Sequence, residues 1–302
     1  MKKKKASSRK LTPVPAAAAV LALAASAAHA QSTPVFNYQF PASWNGTTSA
    51  VADQSSAGNN GTYRYGLTLA AAPPTDSGNS ISDSASASAT DPNGGFYTDG
   101  TSLLPDATVA ADGGFQYNID FNWNGTFSSS FGGIQKLLDY SGTESLQLVA
   151  KSGTVATLEM TFNPGTTSSG ATEIAALTTI LPNTWYDVTF DFNTEGNSVV
   201  AGDLTGVGAL YVDGTLVSSG GAIKGVYGDS LARPIGIGQF GYAGTDLIGF
   251  NGDIYNPSVN LGSFVVPEPS SLALSLLGGI GVLGMSWNGS RRKRWSSGKA
   301  KS

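Results

Sequence analysis

The 302 residues include 17 Lys+Arg, 21 Asp+Glu, one histidine and no cysteine, for a formal net charge of −4. The histidine is His29, so from residue 31 onward Ser-His-Asp and Cys-His catalysis, imidazole or thiolate zinc sites, copper centres and disulfides are all excluded. Six of the basic residues lie in 2–10 and six in 291–301, which leaves five against 20 acidic ones in residues 31–266, a charge of −15 that disfavours nucleic acid and anionic lipid and suits divalent cations or neutral glycans.

The N-terminus reads as an export signal. Lys2 to Lys5, Arg9 and Lys10 form a basic region, residues 14–28 are almost all apolar, and Ala28-His29-Ala30 is an A-x-A cleavage site. Residues 1–30 are therefore expected to be a signal peptide that engages the Sec machinery and signal peptidase, with a mature start near Gln31. Residues 31–49 are expected to form a first strand or arm, with Phe36, Tyr38 and Phe40 at period two before Pro41. Residues 51–62 are a polar, turn-rich run, and 73–95, rich in Ser, Ala, Asp and Gly, read as an irregular surface stretch.

From Phe115 the pattern sharpens. Phe115, Tyr117, Ile119, Phe121 and Trp123 alternate with Gln116, Asn118, Asp120 and Asn122, which predicts an antiparallel strand with one buried and one wet face. Residues 155–162 repeat the pattern, with Leu158, Met160 and Phe162 inward and Glu159 and Thr161 outward. Residues 185–192 do so again, with Tyr186, Val188, Phe190 and Phe192 on one side and Trp185, Asp187, Thr189 and Asp191 on the other. Residues 210–217 predict a hairpin, because Asp213-Gly214 tolerates the positive φ angles of a tight turn. Further short strands are expected at 135–140, 146–150, 234–240 and 248–255, and almost nothing reads as a helix. Short alternating strands between Gly/Asn/Asp/Ser turns predict an all-β, two-sheet antiparallel sandwich.

The chain ends with Val266-Pro267-Glu268-Pro269-Ser270, an uncharged run over residues 270–290, and Arg291-Arg292-Lys293-Arg294. Two prolines leave the first part extended and accessible. The 21 uncharged residues are long enough for one transmembrane helix. The basic cluster is expected to stay on the cytoplasmic side as a stop-transfer signal, with residues 296–302 as a cytoplasmic tail. These features in this order resemble the PEP-CTERM sorting signal of Gram-negative bacteria, here residues 263–295. The resemblance implies recognition by an exosortase, a transient stay in the inner membrane, and release or transfer to the cell surface or extracellular matrix.

The body resembles a second family. Asp53 through Gly61-Thr62, Asn183-Thr184-Trp185-Tyr186-Asp187-Val188, Leu210-Tyr211-Val212-Asp213-Gly214, Ile235-Gly236-Ile237-Gly238 and Phe250-Asn251-Gly252-Asp253-Ile254 occur in the order seen in laminin G-like, concanavalin A-like jelly rolls. The resemblance spans residues 50–262 and implies a recognition module, since some such folds are glycosidases but most bind.

The residues themselves weigh against catalysis. Glu144, Glu159, Glu173 and Glu195 are the only glutamates in 31–266, none within five residues of another, and Asp187 and Asp191 on one strand face stand ~13 Å apart. No cofactor is expected; calcium is the candidate weighed against that, with Asp53, Asn59 and Asn60, or Asp91, Asn93 and Asp99, as oxygen donors. Among Trp44, Trp123 and Trp185, Trp185 is expected to face outward and to stack on a sugar ring. The expected function is a non-enzymatic structural or adhesive module of the envelope or exopolysaccharide matrix. A carbohydrate-binding lectin is the alternative, and a divergent glycoside hydrolase the third reading.

Overall fold

The alternation at residues 115–123 becomes β6 (Gly114–Trp123): all five apolar side chains are buried, and the polar ones lie on the opposite face. A computed structural model describes residues 32–41, 50–65, 67–76, 79–83, 95–99, 103–127, 133–140, 144–152, 155–162, 172–197, 204–224, 234–238 and 249–264. Within it β6 lies inside an eight-stranded antiparallel sheet. On one side β6 pairs with β11 (Trp185–Asn193), followed by β12 (Thr205–Val212) and β13 (Thr215–Lys224). On the other it pairs with β15 (Gly252–Leu261), whose far edge is shared. The beginning of β15 pairs with β4 (Asn79–Asp83), itself paired with β3 (Leu67–Ala71), and its end pairs with β1 (Thr33–Asn37).

The second sheet has seven strands. Its order is β10 (Thr172–Ile180), β9 (Val155–Phe162), β8 (Glu144–Ser152), β7 (Ile134–Tyr140), β14 (Ile235–Ile237), β5 (Gly95–Thr98) and β2 (Gly61–Tyr65), all antiparallel. The inner faces of the two sheets meet in one aromatic-rich core. Phe162 of the second sheet lies with its ring centroid 5.5 Å from Phe190 and 5.8 Å from Phe192 of the first. Each such fully buried side chain contributes about 1.5–3 kcal/mol of apolar transfer. The molecule is thus a jelly-roll-like β-sandwich, as the alternation predicts.

The hairpin forms at Asp213-Gly214 with φ of 51° and 68°, the two positive values of a type I′ turn. Four expectations need correction. The stretch 73–95 contains strand β4, because its Ile81 finds a buried place against β15 even though its neighbours are polar (residues 84–94 lie outside those described). One short helix, α1 (Asp106–Asp112), precedes β6 and is closed by Gly113 at φ 90°. The last strand does not end at Tyr255: it runs on to Leu261 across a bulge at Asn256-Pro257, where a proline costs no ladder hydrogen bond. Glu159, expected on a wet face, is buried at 7% exposure and lies 3.9 Å from the Lys151 ammonium.

Candidate functional site

Because Tyr186, Val188, Phe190 and Phe192 fill the core, Trp185, Asp187, Thr189 and Asp191 are turned to the outer face of the eight-stranded sheet. The register with β6 sets Trp185 opposite Asn122, Asp187 opposite Asp120, Thr189 opposite Asn118 and Asp191 opposite Gln116. β15 adds Asp253, Tyr255, Ser258 and Asn260 to the same four rows. Part of this face is a hydrogen-bonded mesh. Gln116 Nε2 donates to Asp191 Oδ1 at 2.7 Å, and Asn118 Nδ2 donates to Gln116 Oε1 at 2.9 Å. Thr189 Oγ1 donates to Asn118 Oδ1 at 3.0 Å.

Beside the β15 bulge lies a hollow of 280 Å³. Its walls come from four segments: Asn37 and Gln39 at the end of β1, Asp120 on β6, Asp187 on β11, and Asn256 and Ser258 on β15. Amides, a hydroxyl and two carboxylates line it. The Asn256 carboxamide oxygen is buried without a hydrogen-bond partner among the described residues.

Asp120 and Asp187 are the least compensated groups in that lining. Neither carboxylate accepts a hydrogen bond from a described residue. As directly opposed residues on neighbouring strands their Cβ atoms stand roughly 4.5–5.5 Å apart. Burial first, and then Asp187, Asp76 and Asp213, push the Asp120 carboxyl from 3.8 up to about 7. Asp187, which is more exposed, is also raised, by partial burial and then by Asp213 and Asp76. Asp213 is held close because Asp187 N donates to Asp213 Oδ1 at 3.0 Å and Asp213 N donates to the Asp187 carbonyl at 2.8 Å.

This arrangement has a stability signature. Between about pH 4 and 7 the folded chain holds a proton on Asp120 that the unfolded chain releases, so stability falls as pH rises through that window and the whole cost is felt at pH 8. With allowance for partial exposure to solvent, that cost is about 1–2 kcal/mol. Asp120→Asn is therefore expected to raise the thermal midpoint by about 2–8 °C at pH 8 and to change it little at pH 4. Equal shifts at both pH values would dissociate Asp120 from this titration.

The sequence pairs Asp187 with Asp191 as two outward carboxylates. The fold separates their roles, since Asp191 is buried at 8% exposure and held by Gln116, and the partner of Asp187 is Asp120. Both Asp120 and Asp187 are legible as wet-face residues, but nothing local says that their strands are neighbours. Trp185 is half-buried on this same outer face, two residues and so ~7 Å along β11 from Asp187. Trp123 is wholly buried, and Trp44 lies outside the described residues.

Among the calcium candidates, Asp53 is engaged by its own surroundings. Its Oδ1 accepts from Asn37 N and Ser55 N, both at 2.8 Å, and its Oδ2 from Ser55 Oγ at 2.8 Å and Asn59 N at 2.9 Å. Burial opposes the charge, but these hydrogen bonds outweigh it and hold the carboxyl below its ordinary value. Asn59 Nδ2 donates to the Val35 carbonyl at 2.7 Å, and Asn60 Oδ1 accepts from Asp53 N at 3.1 Å. Asp99 accepts the Thr62 hydroxyl. Asp91 and Asn93 lie outside the described residues, among which no three acidic, His or Cys side chains gather to hold a metal ion. Ala28, Ala30, the 266–270 motif and the 291–294 cluster also lie outside them, and no helix among the described residues is long and apolar enough to cross a membrane.

No family model matches the chain, and neither does any curated protein. Among solved structures it is similar to the binding domain of botulinum neurotoxin serotype D/C, with a TM-score of 0.46 and 13% identity over 77% of this chain and 50% of that one. It is also similar to the SAP-like pentraxin of Limulus polyphemus, with a TM-score of 0.37 and 14% identity over 50% of this chain and 65% of that one. A third is the CBM40 of a Ruminococcus gnavus IT-sialidase, with a TM-score of 0.38 and 18% identity over 56% and 89%. The chain thus spans half the length of the toxin domain. Likenesses this loose go no further than the general run of the strands.

Proposed function

We propose that this chain is an exported, non-enzymatic, glycan-binding jelly roll that exosortase processing delivers to the cell surface or extracellular matrix. The observation that carries the binding part is the shared face: Trp185 and the polar hollow lie on the same side of β6 and β11. A half-buried indole offers an apolar plane for the C–H face of a sugar ring, while the amides and the hydroxyl of the hollow offer donors and acceptors for its hydroxyls. The two ends of the sequence support the delivery part: a cleavable signal at one and Pro-Glu-Pro, an apolar span and arginines at the other.

A glycan array tests the binding, with Trp185→Ala beside the wild type. The variant is expected to fold normally and to bind at least tenfold more weakly, a loss of about 1.4 kcal/mol or more. Unchanged binding would move the site off this face. Intact-mass measurement of the exported protein tests the delivery. It is expected to begin near Gln31 and to lack residues 270–302, and a mass that retains them would exclude processing at this tail.

A further inference from the structure

We propose that the hollow selects glycans bearing a free, protonated amine, such as unacetylated hexosamine units, over N-acetylated and carboxylated sugars. This rests on the glycan-binding reading of the same face and gives it a substrate class. Two carboxylates oppose each other in the wall, neither receiving a hydrogen bond from a described residue. Asp53 and Asp191 differ, since their carboxylates are occupied by hydrogen bonds within the fold. Asp76 and Asp213 add negative potential, and Tyr255, on the neighbouring strand, has its hydroxyl raised by burial and then by Asp76, so among the described residues no group acting on the pair brings positive charge. The two lysines whose side chains are described, Lys136 and Lys151, both belong to the other sheet.

A cationic ligand relieves this repulsion, whereas a sialic acid or uronate carboxylate adds to it. An ammonium also supplies three N–H donors, and the wall holds two carboxylates, the Ser258 hydroxyl and the Asn37 and Gln39 amides to receive them. The metal alternative lacks a third acidic, His or Cys ligand among the described residues. The amine must compete with the proton that the pair retains, so affinity declines as pH falls below about 7.

Calorimetric titration of the purified exported protein tests this with a glucosamine oligomer, its fully N-acetylated counterpart, sialyllactose and calcium chloride. The amine oligomer is expected to bind at least tenfold more tightly than the acetylated one at pH 7, and tenfold more weakly at pH 5 than at pH 7. Sialyllactose is expected to give no signal. In Asp120→Asn and in Asp187→Asn, each checked for folding by its thermal midpoint, the ratio between the two oligomers should fall to within about twofold. Trp185→Ala should weaken both together. Equal affinity for both oligomers, with Trp185→Ala still disruptive, would overturn the selectivity and leave glycan binding in place. Binding of neither would remove the reading beneath it. Calcium binding lost in Asp187→Asn would assign the pair to a metal instead. Cleavage of an oligomer, lost in either Asn variant, would assign it to hydrolysis, for which carboxyls about 5 Å apart suffice.

Discussion

Replacing Asp53 by alanine is expected to destabilise the fold by about 3 kcal/mol, a fall of roughly 6–12 °C in thermal midpoint. The single carboxylate takes three main-chain N–H groups, from Asn37, Ser55 and Asn59, and the Ser55 hydroxyl. Removing it leaves those donors without that acceptor and cuts one of several ties between the end of β1 and the 53–60 loop, the main-chain bond from Gln54 N to the Asn37 carbonyl remaining. That loop in turn supports β1, because Asn59 caps the Val35 carbonyl and its own carbonyl accepts from the buried Tyr38 hydroxyl. The pH dependence has a definite sign. The folded carboxyl lies below its ordinary value, so its contribution is present above the unfolded value of ~3.9 and is lost as pH falls further. The gap between variant and wild type should therefore close in acid. Asp53→Asn keeps one acceptor oxygen and should lose about half as much. A calcium-dependent rise in wild-type midpoint that Asp53→Ala removes would instead make this loop a metal site.

A second large effect is expected at Gly114, the first residue of β6. Its φ is 151°, and a Cβ there would lie 1.9 Å from the Phe192 carbonyl oxygen and 3.0 Å from that of Gly262. Both obstacles are main chain. Phe192 belongs to β11 and Gly262 follows β15, so relief would have to part the three central strands at one end. Gly114→Ala should cost about 3 kcal/mol or more, read as a fall of at least 6 °C. A loss under about 1 kcal/mol would show that the strands part easily there.

Local chemistry made much of this architecture readable. The nine-residue alternation at 115–123 left little choice but a strand buried on one side, and Asp213-Gly214 specified its own turn. The strands at 155–162 and 185–193 were equally plain, because aromatic and branched side chains repeated every second residue. Weaker segments were less readable. β4, Asn-Ser-Ile-Ser-Asp, and the Ala-rich end of β3 acquire their conformation from neighbours rather than from their own propensity, and β5 is only four residues long, too short for a period to show. The strand expected at 248–255 continues to Leu261 because a bulge at Asn256-Pro257 accommodates the proline, and that bulge is set by the pairing with β6.

The site divides along the same line. Trp185 could be set on the outer face from its phase relative to Tyr186 and Phe190, a matter of period two within one strand. The opposition of Asp120 and Asp187 could not, because they are far apart in the chain and a strand carries no label for its neighbour or register. Likewise Asp53 looked like a metal ligand by composition, and only the folded loop revealed three main-chain donors closing on it. By itself the sequence determined which apolar side chains each strong strand turns into the core, the absence of imidazole and thiol chemistry beyond residue 30, and the charge of the body. Tertiary structure alone decided which carboxylates meet and which are satisfied. The first set depends on hydrophobic periodicity over a few residues, and the second on pairing between segments that only long-range packing brings together.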